Sequence, residues 1–241
     1  MLNFTPPIRT QPTTTTHAPS DTDTCASSDE QRCASDLVSR QHPLHVVHLT
    51  SSRFFGGPER QMLELARELR PETRTSFLSF AEDGLCGPFL DRARASGFHA
   101  QAIEHDTPRL VAATRELIQT LRRLQAGILI CHGYKADLLG LWAARRVGIP
   151  VVAVSRGWTG ECRKVRVYEW LDRRVVRRMD KVVCVSQRQA SRILDAGVRA
   201  DKVVVIHNAI RCERFNSPRD PQYRRQLEAL FLKPPKFIIG A

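Results

Sequence analysis

The sequence predicts a doubly wound α/β domain built on a parallel sheet. Short runs of nearly continuous Val and Ile, such as VVAVS and KVVCV, are what strands buried on both faces require. Between these runs lie segments with apolar residues at helical spacing. Strand and helix therefore alternate, and helices joining parallel strands bring right-handed crossovers with them.

Residues 1–42 precede this pattern. They are rich in Thr, Ser, Pro and Asp, show no periodic apolar face, and are expected to form a disordered tail. LHVVHLT (44–50) is the first expected strand and SSRFFGGPE a Gly-rich loop. PERQMLELARELR follows as a helix with Met62, Leu63, Leu65, Ala66 and Leu69 on one face. RTSFLSFAE (74–82) reads as a strand, PFLDRARASG (88–97) as a helix closed by Gly97, and FHAQAIE as a strand. A Thr-Pro start marks an amphipathic helix over 107–125, and AGILICH is the next strand. Helix, strand and helix are then expected over 136–148, 149–157 and 166–180. KVVCVS is a strand, SQRQASRILDAGV a helix, KVVVIHNAI (202–210) a last strand, RCERFNSP irregular, and QYRRQLEALFL (222–232) a final helix. The domain accordingly spans 43–232. Residues 233–241, KPPKFIIGA, read as a Pro-marked linker followed either by the first strand of an absent second domain or by an edge strand of the domain before it.

Composition narrows the function classes. The chain has 241 residues, 42% of them hydrophobic, enough for one full core. A net charge of +12 and a pI near 10.0 suit nucleic acid or an acidic membrane surface. Only six of the 37 basic residues are Lys, however, and a bias towards Arg is equally accounted for by genomic base composition. The seven Cys include no C-x-x-C pair, which argues against a zinc site or a disulfide framework and for a reducing cytoplasm. Apolar stretches are strand-sized, so no transmembrane helix is expected and the protein should be soluble or peripheral.

In a sheet of this class ligands bind beyond the carboxyl ends of the strands. The first such loop holds Gly56 and Gly57 ahead of a helix start at or near Pro58, either a tight turn or a place where backbone amides meet an anionic group. Its spacing matches neither GxGxxG nor a P-loop. His132, beside Gly133 and expected to be exposed at a strand end, is placed to hydrogen-bond a ligand hydroxyl or phosphate, or is a satisfied polar group. Ser155 and Arg156 end the following strand, with Trp158 close behind. Ser186 and Asn208 fit helix capping and turn chemistry.

LHVVHLTSSRFFGGPERQMLELARELR, ILICHGYKADLLG, DKVVCVSQRQASRIL and KVVVIHNAIRCERF, in this order and spacing, resemble the N-terminal domain of family 4 glycosyltransferases over residues 44–241. The resemblance implies a Rossmann-like domain that is the N-terminal half of a GT-B fold, binding the acceptor. A C-terminal domain, absent from this chain, would hold the nucleotide-diphosphate sugar. Gly57 matches the family glycine near the donor phosphates and acceptor, and His132 a family His facing the transferred sugar. Ala209 stands where the family's NG(I/V)D pattern has Gly. The EX7E pattern and the cations that neutralise the leaving diphosphate have no match here. No catalytic residue is therefore assigned, and the chain alone is expected to be inactive.

The function implied is a retaining transferase of polysaccharide or glycolipid assembly, acting on a glycan or lipid-linked acceptor at the cytoplasmic face of the membrane, with no cofactor or metal held by this chain. A non-catalytic glycan-, lipid- or protein-binding module is the alternative. A nucleotide-sugar epimerase of similar fold ranks lower for want of an acid/base set.

One further segment, 163–180, concentrates charge in Arg163, Lys164, Arg166, Arg173, Arg174, Arg177 and Arg178. Tyr168, Leu171, Val175 and Met179 are spaced for a buried stripe, leaving several Arg outward. The outward face is either simply solvated, or docks on an anionic leaflet at about 1 kcal/mol per basic residue, or binds an acidic polymer. No nucleic-acid motif accompanies it, so nucleic acid is not an expected partner.

Overall fold

Strand β1 (Leu44–Thr50) carries Val47 and Leu49 on one face and His48 and Thr50 on the other, and all four are buried. A strand covered on both sides must lie inside its sheet. In a computed structural model of the protein, residues 43–157, 163–209, 221–231, 233, 235 and 237 are described, without the side chains of 163–167 and 221. The expected tail at 1–42, Trp158, the irregular segment at 211–218 and the end of the terminal strand at 238–241 lie outside the described residues.

From Leu44 onward the chain forms one unit. Its elements continue as α1 (Gly57–Glu68), β2 (Thr73–Phe80), α2 (Gly87–Ala95), β3 (His99–Ile103), α3 (Leu110–Arg123), β4 (Ile128–His132) and α4 (Tyr134–Val147). They end with β5 (Val151–Ser155), α5 (Arg163–Val176), β6 (Lys181–Cys184), α6 (Gln187–Asp195), β7 (Val203–Val205) and α7 (Pro221–Glu228). The strands pair in parallel in the order β3-β2-β1-β4-β5-β6-β7. This is the doubly wound, Rossmann-like arrangement. The order reverses between β1 and β4, and that reversal opens a crevice at the carboxyl edge.

The sheet separates two apolar layers. On one face Met62, Leu63 and Ala66 of α1 pack with Phe77, Phe89 and Phe98. On the other, Val47, Leu49, Leu117, Leu121, Leu129 and Ile193 belong to a larger cluster under the remaining crossover helices. Phe77 meets Phe89 and Phe98 edge to face, with centroids 5.7 and 5.4 Å away.

Several boundaries differ from expectation for identifiable reasons. Helix α3 starts at Leu110, not Thr107, because Asp106 holds the preceding turn: its carboxylate accepts from the Glu82 amide at 2.8 Å, and its carbonyl accepts from the Arg109 amide at 2.7 Å. Helix α4 starts at Tyr134, because Gly133 at φ 96° turns the chain straight from β4 into the helix. Strand β7 is only three residues long; the Ile206 amide still donates to the Cys184 carbonyl at 2.9 Å, and His207 to Ala209 run on outside the strand. Helix α7 stops at Glu228. The expected cap is present at α6, where Ser186 Oγ accepts from the Gln189 amide at 3.2 Å.

Of the stripe expected on this segment, Val175 and Met179 are buried and Leu171 is half-buried, and only Tyr168 departs from it. Tyr168 is half exposed, while Glu169 and Asp172 are buried along with Val175 and Met179. The two carboxylates turn inward because they face polar groups of α4, described next. Among the described residues no helix is long and apolar enough to cross a membrane.

Candidate functional site

A cavity of about 590 Å³ opens at the carboxyl edge of the sheet. Its walls come from the loops after β1 (Ser51, Arg53), β2 (Glu82, Asp83) and β3 (Asp106, Thr107), and from His132 to Lys135 and α5. Lys135 ties these loops together. Its ammonium donates to Glu82 Oε1 at 2.9 Å and to Asp106 Oδ1, and lies 4.6 Å from the centroid of the Phe80 ring. Burial alone would raise the Asp106 carboxyl, but the hydrogen bonds from Lys135 and from the Glu82 and Thr107 amides outweigh it and hold that carboxyl below its usual range.

His132 is buried, not exposed as its strand-end position predicts. It shares a sheet face with His48 on the neighbouring strand, their rings stacked with centroids 5.2 Å apart. Arg156 Nη1 lies 3.1 Å from His132 Nδ1, and His132 Nε2 lies 2.9 Å from His48 Nδ1. A guanidinium can only donate, so His132 Nδ1 must accept. His132 is then the Nε2–H tautomer and donates to His48 Nδ1, which leaves the His48 proton on Nε2. Burial pushes His48 down to about 4, with Arg156 adding to the shift, and pushes His132 well below its ordinary value, with His48 and Arg156 adding. Both rings are therefore neutral at physiological pH.

Arg156 also connects this pair to the first loop. Burial lowers its guanidinium from the ordinary value, opposed by the charges of Glu59 and Asp137. Glu59 reaches back from the first turn of α1 to accept from the Gly56 amide at 3.0 Å. The Gly56 amide, one of the two expected to meet an anion, is thus already engaged. A Cβ built on Gly57 would find no atom within 4 Å, so the approach to the α1 N-terminus is open there. Of the residues singled out in the sequence, Arg156 meets His132 and Gly56 is bonded to Glu59, whose charge acts on Arg156; His132 lines the cavity, whereas Gly56, Gly57, Ser155 and Arg156 are not among its lining residues. Ser155 is held apart, accepting at 2.7 Å from the buried Gln189.

Between α4 and α5 lies a group that sequence reasoning missed. Asp137 and Asp172 are buried neighbours, each with a buried Oδ1 that has no hydrogen-bond partner, and Tyr134 Oη is 3.5 Å from Glu169 Oε1. Burial first, and then the neighbouring Asp172, raise the Asp137 carboxyl well above its ordinary value. Burial and the same acids raise the Tyr134 phenol to about 12. An Asp four residues into a helix gives no signal in the sequence that it will be buried.

Of the basic residues expected on an outward face, Arg173, Arg174 and Arg178 are exposed, and Arg174 lies 3.9 Å from the centroid of Trp170. Arg177 is exposed as well, and it donates to the Ala196 carbonyl, tying the end of α5 to the end of α6. The side chains of Arg163, Lys164 and Arg166 lie outside the described residues.

A parallel sheet wound on both faces, with a cavity at its carboxyl edge, places the domain in the doubly wound, Rossmann-like α/β class. Residues 55–214 match Glycosyltransferase Family 4, more than half of the chain, and the protein belongs to that family. No curated protein matches the sequence. Among solved structures, HepE from Anabaena, crystallised with UDP and glucose, is similar at 20% identity and a TM-score of 0.63, over 76% of this chain and 50% of that one. A glycosyltransferase from Rickettsia africae is 14% identical with a TM-score of 0.62, over 81% and 51%. MurG from Acinetobacter baumannii is 18% identical with a TM-score of 0.50, over 70% and 46%. These likenesses establish the GT-B type of fold, and the chain spans about half the length of the structures it matches.

Proposed function

We propose that this domain is the acceptor side of a retaining, nucleotide-sugar-dependent glycosyltransferase of polysaccharide or glycolipid assembly, working with a donor-binding domain and inactive without it. The observation that carries the reading is the cavity at the carboxyl edge, walled by the loops after β1, β2 and β3 and by His132, with the open α1 N-terminus following β1. The acceptor occupies the cavity. The donor diphosphate approaches the open amides at Gly57, where the helix dipole favours negative charge, and His132 stands between the two. Because His132 is neutral and its nitrogens are engaged, its role is to shape and polarise that boundary, while the diphosphate charge is neutralised by the donor domain. Arg173, Arg174 and Arg178, with Trp170, provide a face for peripheral attachment to the anionic cytoplasmic leaflet.

The test is sugar transfer by the complete protein from a panel of nucleotide-diphosphate sugars, comparing wild type with His132→Ala. Turnover should fall about 100-fold, far more than the folded fraction. Unchanged turnover per folded molecule, with only a lower Tm, would overturn this reading and leave His132 a purely structural residue.

A further inference from the structure

Lys135 is the second residue of α4 and lines the carboxyl-edge cavity. A lysine on this edge, where anionic groups are expected to bind, reads first as a phosphate ligand. Its surroundings assign it otherwise. An ammonium has three N–H groups to give. Glu82 Oε1 and Asp106 Oδ1 each accept one, and the Phe80 ring, its centroid 4.6 Å away, covers a further side of the group. The lysine side chain is 21% exposed and the two carboxylates 18%, so water competes weakly for this ion-paired group. Little of the ammonium is left to reach an anion.

What the lysine holds is a strained loop. Glu82 and Asp83 sit at φ 46° and 56°, in the left-handed region that residues other than Gly rarely adopt, and Gly84 continues the turn at φ 85°. Glu82 is fixed twice, its carboxylate by Lys135 and its amide by Asp106 Oδ2 at 2.8 Å. Arg53 Nε lies 3.8 Å from Glu82 Oε2 and brings the loop after β1 to the same carboxylate. Glu82, Asp83, Asp106 and Thr107 all line the cavity. One ammonium therefore connects the loops after β2 and β3 to the helix that follows His132.

We propose that Lys135 is a positioning residue for the acceptor, holding the loops at Glu82–Asp83 and Asp106–Thr107 as a preformed cavity wall and binding no phosphate itself. This rests on the glycosyltransferase reading, in which the acceptor fills the cavity. A wall free to relax at its two left-handed residues has to be ordered again by each acceptor, and that ordering opposes acceptor binding. Loss of the ammonium also leaves two partly buried carboxylates without their shared cation, and their repulsion loosens both loops together.

Two measurements test this. Amide hydrogen exchange on the full chain should be at least about tenfold faster in Lys135→Met over both 82–85 and 106–109, with the central strands unaffected. In the complete enzyme, the donor is a nucleotide-diphosphate sugar and the acceptor is supplied as serial dilutions of the producing cell's glycan and lipid extract. Lys135→Met should raise the half-saturating extract about tenfold while the half-saturating donor stays within about twofold. Lys135→Arg keeps a cation between the carboxylates and should recover most of that loss. Glu82→Gln weakens one arm of the clasp and should give a smaller rise in the same quantity, which decides the matter even where Lys135→Met folds poorly. A rise in half-saturating donor as large as that in acceptor would make Lys135 a phosphate ligand and overturn the proposal. So would unchanged exchange in the two loops, or a lower Tm with both half-saturation values unchanged per folded molecule. Absence of transfer by the wild type would remove the glycosyltransferase reading, while exchange still decides whether Lys135 holds the loops.

Discussion

His132 Nε2 donates to His48 Nδ1 across 2.9 Å, between stacked rings on neighbouring strands, and Arg156 fixes that direction by occupying the other His132 nitrogen. Protonating either ring would put two donors face to face, beside a guanidinium. The arrangement is consequently stable only while both histidines are neutral.

Stability should therefore fall in acid well before the carboxylates titrate. A histidine of ordinary value 6.5 held near 4 in the folded state contributes stability that is complete above 6.5 and is lost as pH falls from 6.5 through about 4. For His48 the loss is on the order of 3 kcal/mol. Urea melts between pH 7 and pH 4 check this, and His48→Gln should flatten the profile in that window. A profile as steep in His48→Gln as in wild type would place the acid sensitivity elsewhere.

Asp137 carries the opposite sign. Its carboxyl is raised in the folded state, so its contribution is present below the unfolded value near 4 and is lost as pH rises through the folded value. Asp137→Asn keeps the shape and the hydrogen-bonding capacity of the protonated acid. It should stabilise the domain above neutral pH by on the order of 1 kcal/mol and lose that advantage in acid. Thermal melts of the two proteins at pH 5 and pH 8.5 provide the comparison.

Gly140 marks where α4 comes closest to the sheet. A Cβ there would collide with Cys131 Sγ and lie 3.2 Å from Leu129 Cδ2, both in the buried core. Gly140→Ala should cost about 1–3 kcal/mol despite improving helix propensity, because the core side chains beneath it have no free space to yield. Gly140→Ala with unchanged or higher stability would show that α4 can lift off β4.

Gly57→Ala separates fold from function. The added methyl meets no atom within 4 Å, so stability should change by no more than about 0.5 kcal/mol. Transfer by the complete enzyme should fall about 100-fold if a donor phosphate approaches the backbone there. Full activity in Gly57→Ala would remove the diphosphate from the α1 N-terminus.

The order of strands and helices was legible in the sequence because it follows from local periodicity and from signals such as Ser186 before α6, which act over a few residues. Of the residues named for a site from their positions after strands, His132 lines the carboxyl-edge cavity, while Gly57 and Arg156 are not among its lining residues. Tertiary structure alone decided how those residues are used. Lys135 meets Glu82 and Asp106 across sequence separations of 53 and 29, and no short-range pattern encodes such a meeting. The burial of Asp137 and Asp172, the outward turn of Tyr168, and the loss of His132 as an exposed ligand group share one physical cause. Periodicity states which faces are apolar, but a polar side chain is buried or exposed according to the partner a neighbouring element brings to it.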